Sequence, residues 1–488
     1  MKKIFAIILI LAMLVPLAVA CNSDDETTTT TTTENTATDG KFSSKDTVKK
    51  DWEGETLLVA ATAWSAEPSY PWSTMELVIK EGETSGWGEK IDKAVLERTA
   101  YIKKTYGVDV IWEWASRFNT HDVLKNAILA GNDPDYDLAM PRTFRAQTIV
   151  ADGSVYDMAN RPYINFNNSY YNQDSVKTYT AKGHTFFVAG DFSHFEKETA
   201  FVIYFNKALL GGDEEANKLY QLVKDGKWTW DKLATYAEFI HKDDGDGRWW
   251  GDNDTYGLST YSQFDFYLYF GLKQAGTDDS TGDWEISLNE PPIYDIVDAM
   301  VEVNTSTWVR TAWGGIWPDH PSKFFVNGTI LFHNDTIENL SKFAKSDNMG
   351  IVPFPKLNEE QDKYCVATQM EQIILMCIPK TTSDRSMSDY FVDVLSWTGK
   401  EYTTKAYCEK IYELIKSDVD KEMLDEYIFP NITYDAGNAV GWGSLMGSVI
   451  GQSSNDNQNQ FDKAFAKYEA DALETIKLWN EAWGGYTE

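Results

Sequence analysis

Along "HKDDGDGRWWGDNDTYG", residues 241–257, carboxylates recur at close spacing: Asp244 and Asp246, then Gly247, with Asp254 following an insertion. Oxygen ligands at alternate positions suit a hard cation such as calcium, and a solvated acidic turn is the plain alternative. Aromatic rings carry a second chemistry, since the chain holds 18 Trp, 26 Tyr and 24 Phe. Many tryptophans stand in polar, glycine-containing stretches: "ATAWSAEPSYPW", "GDGRWWGDND", "RTAWGGIWPDH" and "NAVGWGSLMG". Such stretches read as loops, and rings on loops of a rigid scaffold suggest recognition. A pyranose has a face of C–H groups that suits flat rings, and a hydroxyl rim that suits Asp, Asn, Glu and Arg. Any single Trp is more often packing; the set favours sugar. Catalytic signatures are missing: there is no H-E-x-x-H, G-x-S-x-G or G-x-x-x-x-G-K-[ST]. Six histidines are scattered without ligand spacing. A glycosidase needs only two carboxylates, and 75 acidic residues leave such a pair open. Cys365, Cys377 and Cys408 fit no zinc pattern and are odd in number, which implies a free thiol or an intermolecular link. They read as small buried hydrophobes.

The fourth cysteine has a different setting. "MKKIFAIILILAMLVPLAVA", residues 1–20, has two lysines, an apolar core and small residues before Cys21, the features of a secretory leader. "AVAC" resembles the lipobox of bacterial lipoproteins, although Ala18 stands where Leu is usual. A lipidated Cys21 would hold the chain in a membrane. Residues 21–50, with seven consecutive threonines, carry too few apolar side chains to offset the entropy of ordering, and read as a disordered tether. About 440 residues remain, enough for two lobes with real cores. The formal charge of -31 excludes phosphate backbones as partners, so nucleic acid is set aside. It also disfavours direct adsorption on anionic lipid. Beyond the leader, no apolar run approaches the ~20 residues of a membrane span.

"ETLLVAATA" reads as a strand, and Ile91, Ala94, Val95 and Ile102 share one face of a helix that Gly107 ends. "VDVIWEW" is a second strand, "HDVLKNAILAG" a helix and "YDLAM" a third strand, an order that suggests α/β layers. "FVIYFNKALL" is next, then a helix with Thr229 as N-cap and Trp230, Leu233, Ala234 and Ala237 turned inward. A mostly helical middle is expected after it. "GTILFHND" and "MEQIILMCIPK" are later strands, and "FDKAFAKYEADALETIKLWNEAW" is a helix that should pack back on the body. No internal repeat is present.

Seven pieces occur in the order of a known family: "YIKKTYGVDV", "ILAGNDPDYDLAM", "FVIYFNKALL", "GKWTWDKL", "FFVNGTILF", "MGIVPFPKL" and "KEMLDEYIF". The chain from about residue 57 onward resembles the family 1 extracellular solute-binding proteins, the maltose-binding-protein-like receptors of ABC importers. The resemblance implies an α/β fold of two lobes with an interlobe cleft and three hinge crossings. Lobe 1 is expected over 51–200 and 355–400, and lobe 2 over 201–354 and 401–488. It implies a carbohydrate ligand, permease subunits as partners, no enzymatic activity and a monomer tethered on the outer face of a Gram-positive membrane. A lipoprotein glycoside hydrolase and a non-transport surface glycan-binding lipoprotein are the alternatives. By position at cleft-facing strand ends, the ligand residues would be Trp64, Arg142, Thr199, Tyr204, Tyr261, Phe264, Asp335, Glu371 and Trp442. Relatives also carry a calcium-like loop where this chain keeps Asp244, Asp246 and Asp254, but Lys242 stands at the first ligand position; no other cofactor is expected.

Overall fold

The strand Thr56–Ala63 (β1) lies between Asp109–Ser116 (β2) and Leu138–Met140 (β3), parallel to both. The computed structural model describes residues 42–487 except 64–76, 78, 80–83, 86, 117–118, 144–145, 246–252, 261–265, 290–291, 312–320, 370–372, 438–442 and 457. Residues 373–378 extend the first sheet, bridging Ala139 to Cys377 and Arg142 to Ile374, and Met376 in turn bridges to Val188. Alternation along these strands explains the layering. Leu57, Val59, Leu138, Met140, Ile374, Met376 and Ile378 join one buried cluster, with Tyr390, Phe391 and Leu395 of the helix Arg385–Gly399. Ala60, Ala139, Ile373, Leu375 and Cys377 join another on the opposite face. A sheet covered on both faces needs this near-continuous apolar character.

The helix Glu89–Tyr106 (α1) buries Ile91, Ala94, Val95, Arg98, Ile102 and Tyr106 at helical spacing. It ends at Gly107, whose φ of 77° only glycine adopts freely. The buried Arg98 is satisfied by Phe192 O, Leu395 O and Thr398 Oγ1. Thr229 does stand at the N-cap of its helix, although its hydroxyl makes no capping bond there.

The second lobe holds five strands in the order Val309–Thr311 (β6), Tyr256–Thr260 (β5), Ile330–Thr336 (β7), Phe201–Asn206 (β4) and Met349–Val352 (β8). β5, β6 and β7 are parallel, and β4 runs antiparallel between β7 and β8. The middle of the chain is therefore not mostly helical as expected, since it supplies β5 and β6 to this sheet. "YGLST" is buried at every position, so it shows neither the alternation of a half-exposed strand nor an obvious apolar run.

Two ends of the chain tie the body together. Ser44 is fully buried, and both its N–H and its hydroxyl donate to buried Asp393, at 2.8 and 2.7 Å. The Trp397 indole donates to Ser44 Oγ. Residues 42–50 therefore do not belong to a free tether, because Ser44 is bonded to the buried Asp393. At the other end, the helix Glu469–Gly484 sets Trp479 and Trp483 against Trp284, and Trp483 against Phe186. The expected packing of this helix on the body is borne out. The described residues cluster as one unit.

Candidate functional site

Three short segments run side by side between the sheets. Ala200 bridges to Thr368, with Phe201 N donating to Ala367 O at 2.9 Å and Gln369 N to Thr199 O at 3.3 Å. Val366 bridges to Ile432 and exchanges bonds with Asn431 O and Thr433 N, both at 2.9 Å. These are the three crossings. Both sheets aim the C-terminal ends of their parallel strands at them. In the first sheet, Thr143 N donates to Ile373 O just beyond β3. In the second, Thr260 pairs with Thr311 and with Asn334, while Thr336 pairs with Phe201 at the start of β4. Ligands of open α/β sheets bind outside such carboxyl ends. The geometry is that of two lobes joined at the crossings.

Four of the expected ligand residues are described, and all are almost fully buried. Arg142, 1% exposed, lies just after β3 beside Ile374. The Thr199 hydroxyl donates to Phe195 O, closing the short helix Phe195–Glu198. Tyr204 donates to Thr336 O and its ring packs on Phe343 at 4.6 Å, so burial pushes its phenol well up. Burial would also raise the Asp335 carboxyl, but His333, with Asn339 and Thr336 N, outweighs it and holds the group below its ordinary value. His333 in turn meets Ser259 Oγ at 2.7 Å. Asp335 and Tyr204 thus bond within the interior of the second lobe. The reason is topological: β4 and β7 are central strands with both faces covered. Trp64, Tyr261, Phe264, Glu371 and Trp442 lie outside the described residues, as do Cys21 and Asp246.

The tryptophans divide in the same way. Those of the polar, glycine-containing stretches fall outside the described residues. Of the rest, Trp52, Trp228, Trp230, Trp284, Trp308, Trp397, Trp479 and Trp483 are buried core, and Trp114 is 38% exposed at the outer edge of the first sheet.

Two carboxyls at the crossings escaped the sequence reading. Glu198 immediately precedes Thr199, and Glu338 lies in the 3-10 turn Ile337–Asn339 just beyond β7. Burial raises Glu198 to about 8, against the pull of Lys410. Burial and then the charge of Glu198 raise Glu338 to about 7, against Lys342. Their only sequence signal was position next to a strand end.

The acidic loop gathers Asp243, Asp244 and Asp254, with one oxygen of each lying within 4.8 Å of the others. Asp243 was not foreseen; it stands next to Lys242, which pairs with Thr255 through the backbone. Asp254 is buried and accepts from Asp244 N at 2.9 Å and from Tyr256 Oη at 3.1 Å. Three carboxylates so placed fit a hard cation. Cys365, Cys377 and Cys408 are free thiols; the first two are buried, and burial raises Cys408 to about 11.

No family model matches the sequence, and no curated protein is found as a relative. Solved structures do match. The sugar-binding protein MalE of Xanthomonas citri is 12% identical, with a TM-score of 0.56 over 88% of this chain and 100% of that one. A cyclo/maltodextrin-binding protein complexed with maltotetraose is 12% identical, with a TM-score of 0.55 over 86% and 96%. The cyclic alpha-maltosyl-1,6-maltose binding protein of Arthrobacter globiformis is 13% identical, with a TM-score of 0.51 over 86% and 99%. The chain has the two-lobed α/β fold of these solute-binding proteins.

Proposed function

We propose that this chain is a lipid-anchored receptor that binds a carbohydrate, an oligosaccharide, between its lobes and delivers it to the membrane subunits of an ABC importer. The observation that carries the reading is the convergence of both sheets' strand ends on the same three crossings. A hinged clamp of this kind is shifted toward closure only by a ligand that touches both lobes. Sugar is favoured by the aromatic residues that the sequence sets just beyond those strand ends: Trp64 after β1, Tyr261 and Phe264 after β5, Trp313 and Trp317 after β6. The similar structures that are named for maltose-type sugars support the same class. Anchoring through Cys21 would place the receptor on the outer face of the cytoplasmic membrane.

Titration calorimetry with maltotetraose tests the reading. Saturable binding without release of new reducing ends is expected. Trp442→Ala should weaken it by about 1.5–3 kcal/mol, the worth of burying a large side chain. A folded protein that takes up neither maltotetraose nor shorter or cyclic glucans would overturn the ligand class. Hydrolysis of the probe would overturn the receptor reading itself.

A further inference from the structure

β2 is the outer strand of the first sheet: the order β2-β1-β3 leaves its far side unpaired among the described residues. The parallel register sets Trp112 beside Val59 and Trp114 beside Ala61, so both indoles rise from one face. Trp112 is half-buried against the cluster that holds Val59, and Trp114 is 38% exposed. Their rings lie 6.5 Å apart at 17°, nearly parallel. Every other described tryptophan is buried or half-buried. The cluster fixes Trp112, and Trp112 in turn flanks Trp114. Two rings therefore stand in place before any ligand arrives, at little further cost in conformational entropy.

Position decides what the pair can serve. β1 and β2 end side by side at Ala63 and Ser116, the end that both sheets turn toward the crossings, and Trp64 follows β1 in the sequence. At ~3.3 Å per residue, Trp114 and Trp112 lie about 7 and about 13 Å back from that end. A ligand confined to the crossings leaves them bare. A formal charge of -31 repels nucleic acid, and it repels a second copy of the chain equally. The neutral C–H face of a pyranose meets no such barrier.

We infer that Trp112 and Trp114 form an outer sugar-stacking subsite, and that the ligand is a linear oligosaccharide long enough to leave the cleft and lie along the edge of the first lobe. This rests on the carbohydrate reading above and adds a length to it. A chain that occupies both places gains the second contact at high effective concentration, whereas a short sugar gains nothing from it.

Titration calorimetry of the full chain, made soluble by Cys21→Ser, with maltotetraose and maltoheptaose tests the subsite. Maltoheptaose should bind about three- to tenfold more tightly, the worth of one aromatic contact. Trp114→Ala should abolish that preference and leave both maltotetraose affinity and melting temperature unchanged. Trp114→Phe keeps a ring and should keep the preference. Equal affinity of the parent chain for the two sugars would overturn the inference while sparing the carbohydrate reading. So would a preference that survives Trp114→Ala. Sedimentation of the same proteins reads the other use of an exposed edge. Dimers that Trp114→Ala dissolves, with sugar binding untouched, would make β2 an interface between copies and not a subsite. A folded chain that takes up neither sugar overturns the carbohydrate reading and the subsite with it.

Discussion

Burial lifts the Glu198 carboxyl from an ordinary value of 4.5 to about 8, so the folded chain keeps a proton that the unfolded chain loses early. Stability from that proton is whole below the unfolded value, declines as pH rises through the interval, and is gone above the folded value. Over the interval the slope is about 1.4 kcal/mol per pH unit for one proton. Glu198→Gln should therefore flatten the dependence of melting temperature on pH between about 5 and about 8, and should gain on the wild type most at the alkaline end. Calorimetric melting of both proteins across that range checks it; parallel curves would show that Glu198 is ionised and hydrated in the fold. Little of this was legible beforehand. In "FEKETAFV" a glutamate reads as a solvated charge, and only the later pairing of 199–201 with 367–369 places it at a crossing. The burial of Asp335 and Tyr204 was equally hidden. They sit at strand ends along the chain, yet β7 and β4 are central in the sheet, and strand order is a long-range property that local spacing does not encode.

Elements were legible where periodicity was strong and one-sided. The spacing of Ile91, Ala94, Val95 and Ile102, with Gly107 after it, is realised in α1. β5 and β6 were not: β5 is buried throughout and so lacks a period, and three residues of β6 are too few to show one. The acidic loop lies between these cases. Its carboxylates were visible, but the chain closes the loop itself: Asp254 already takes Asp244 N and Tyr256 Oη, and Asp243 takes Gly245 N. A loop held by its own backbone should lose little when a cation leaves. A chelator should therefore lower the melting temperature by no more than ~1 °C, about 1 kcal/mol in a body of this size. A large loss that calcium reverses would show that Asp243, Asp244 and Asp254 hold a structural ion.

For the whole molecule the decisive quantity is where the body sits. No described helix is long and apolar enough to cross a membrane, and a chain of formal charge -31 gains nothing from anionic lipid. In the proposed reading, attachment would rest on Cys21. One acyl chain holds a protein only marginally, whereas a diacylglyceryl cysteine supplies the two that firm anchoring needs. In that reading the 20 residues between Cys21 and Phe42 would set the reach, at most ~75 Å when fully extended. Ser44 marks where that reach ends, because its bonds to Asp393 fasten the chain to the first lobe. Anchor and fold are thus separable in the sequence. Cys21→Ser should release the protein from the membrane fraction into the medium, with circular dichroism and melting temperature unchanged. Ser44→Ala should do the reverse, staying anchored while losing about 1–3 kcal/mol in urea unfolding, the cost of a buried acceptor left short of donors. Retention of the Cys21→Ser chain in the membrane fraction would mean that the leader stays uncleaved or that another contact holds the body there.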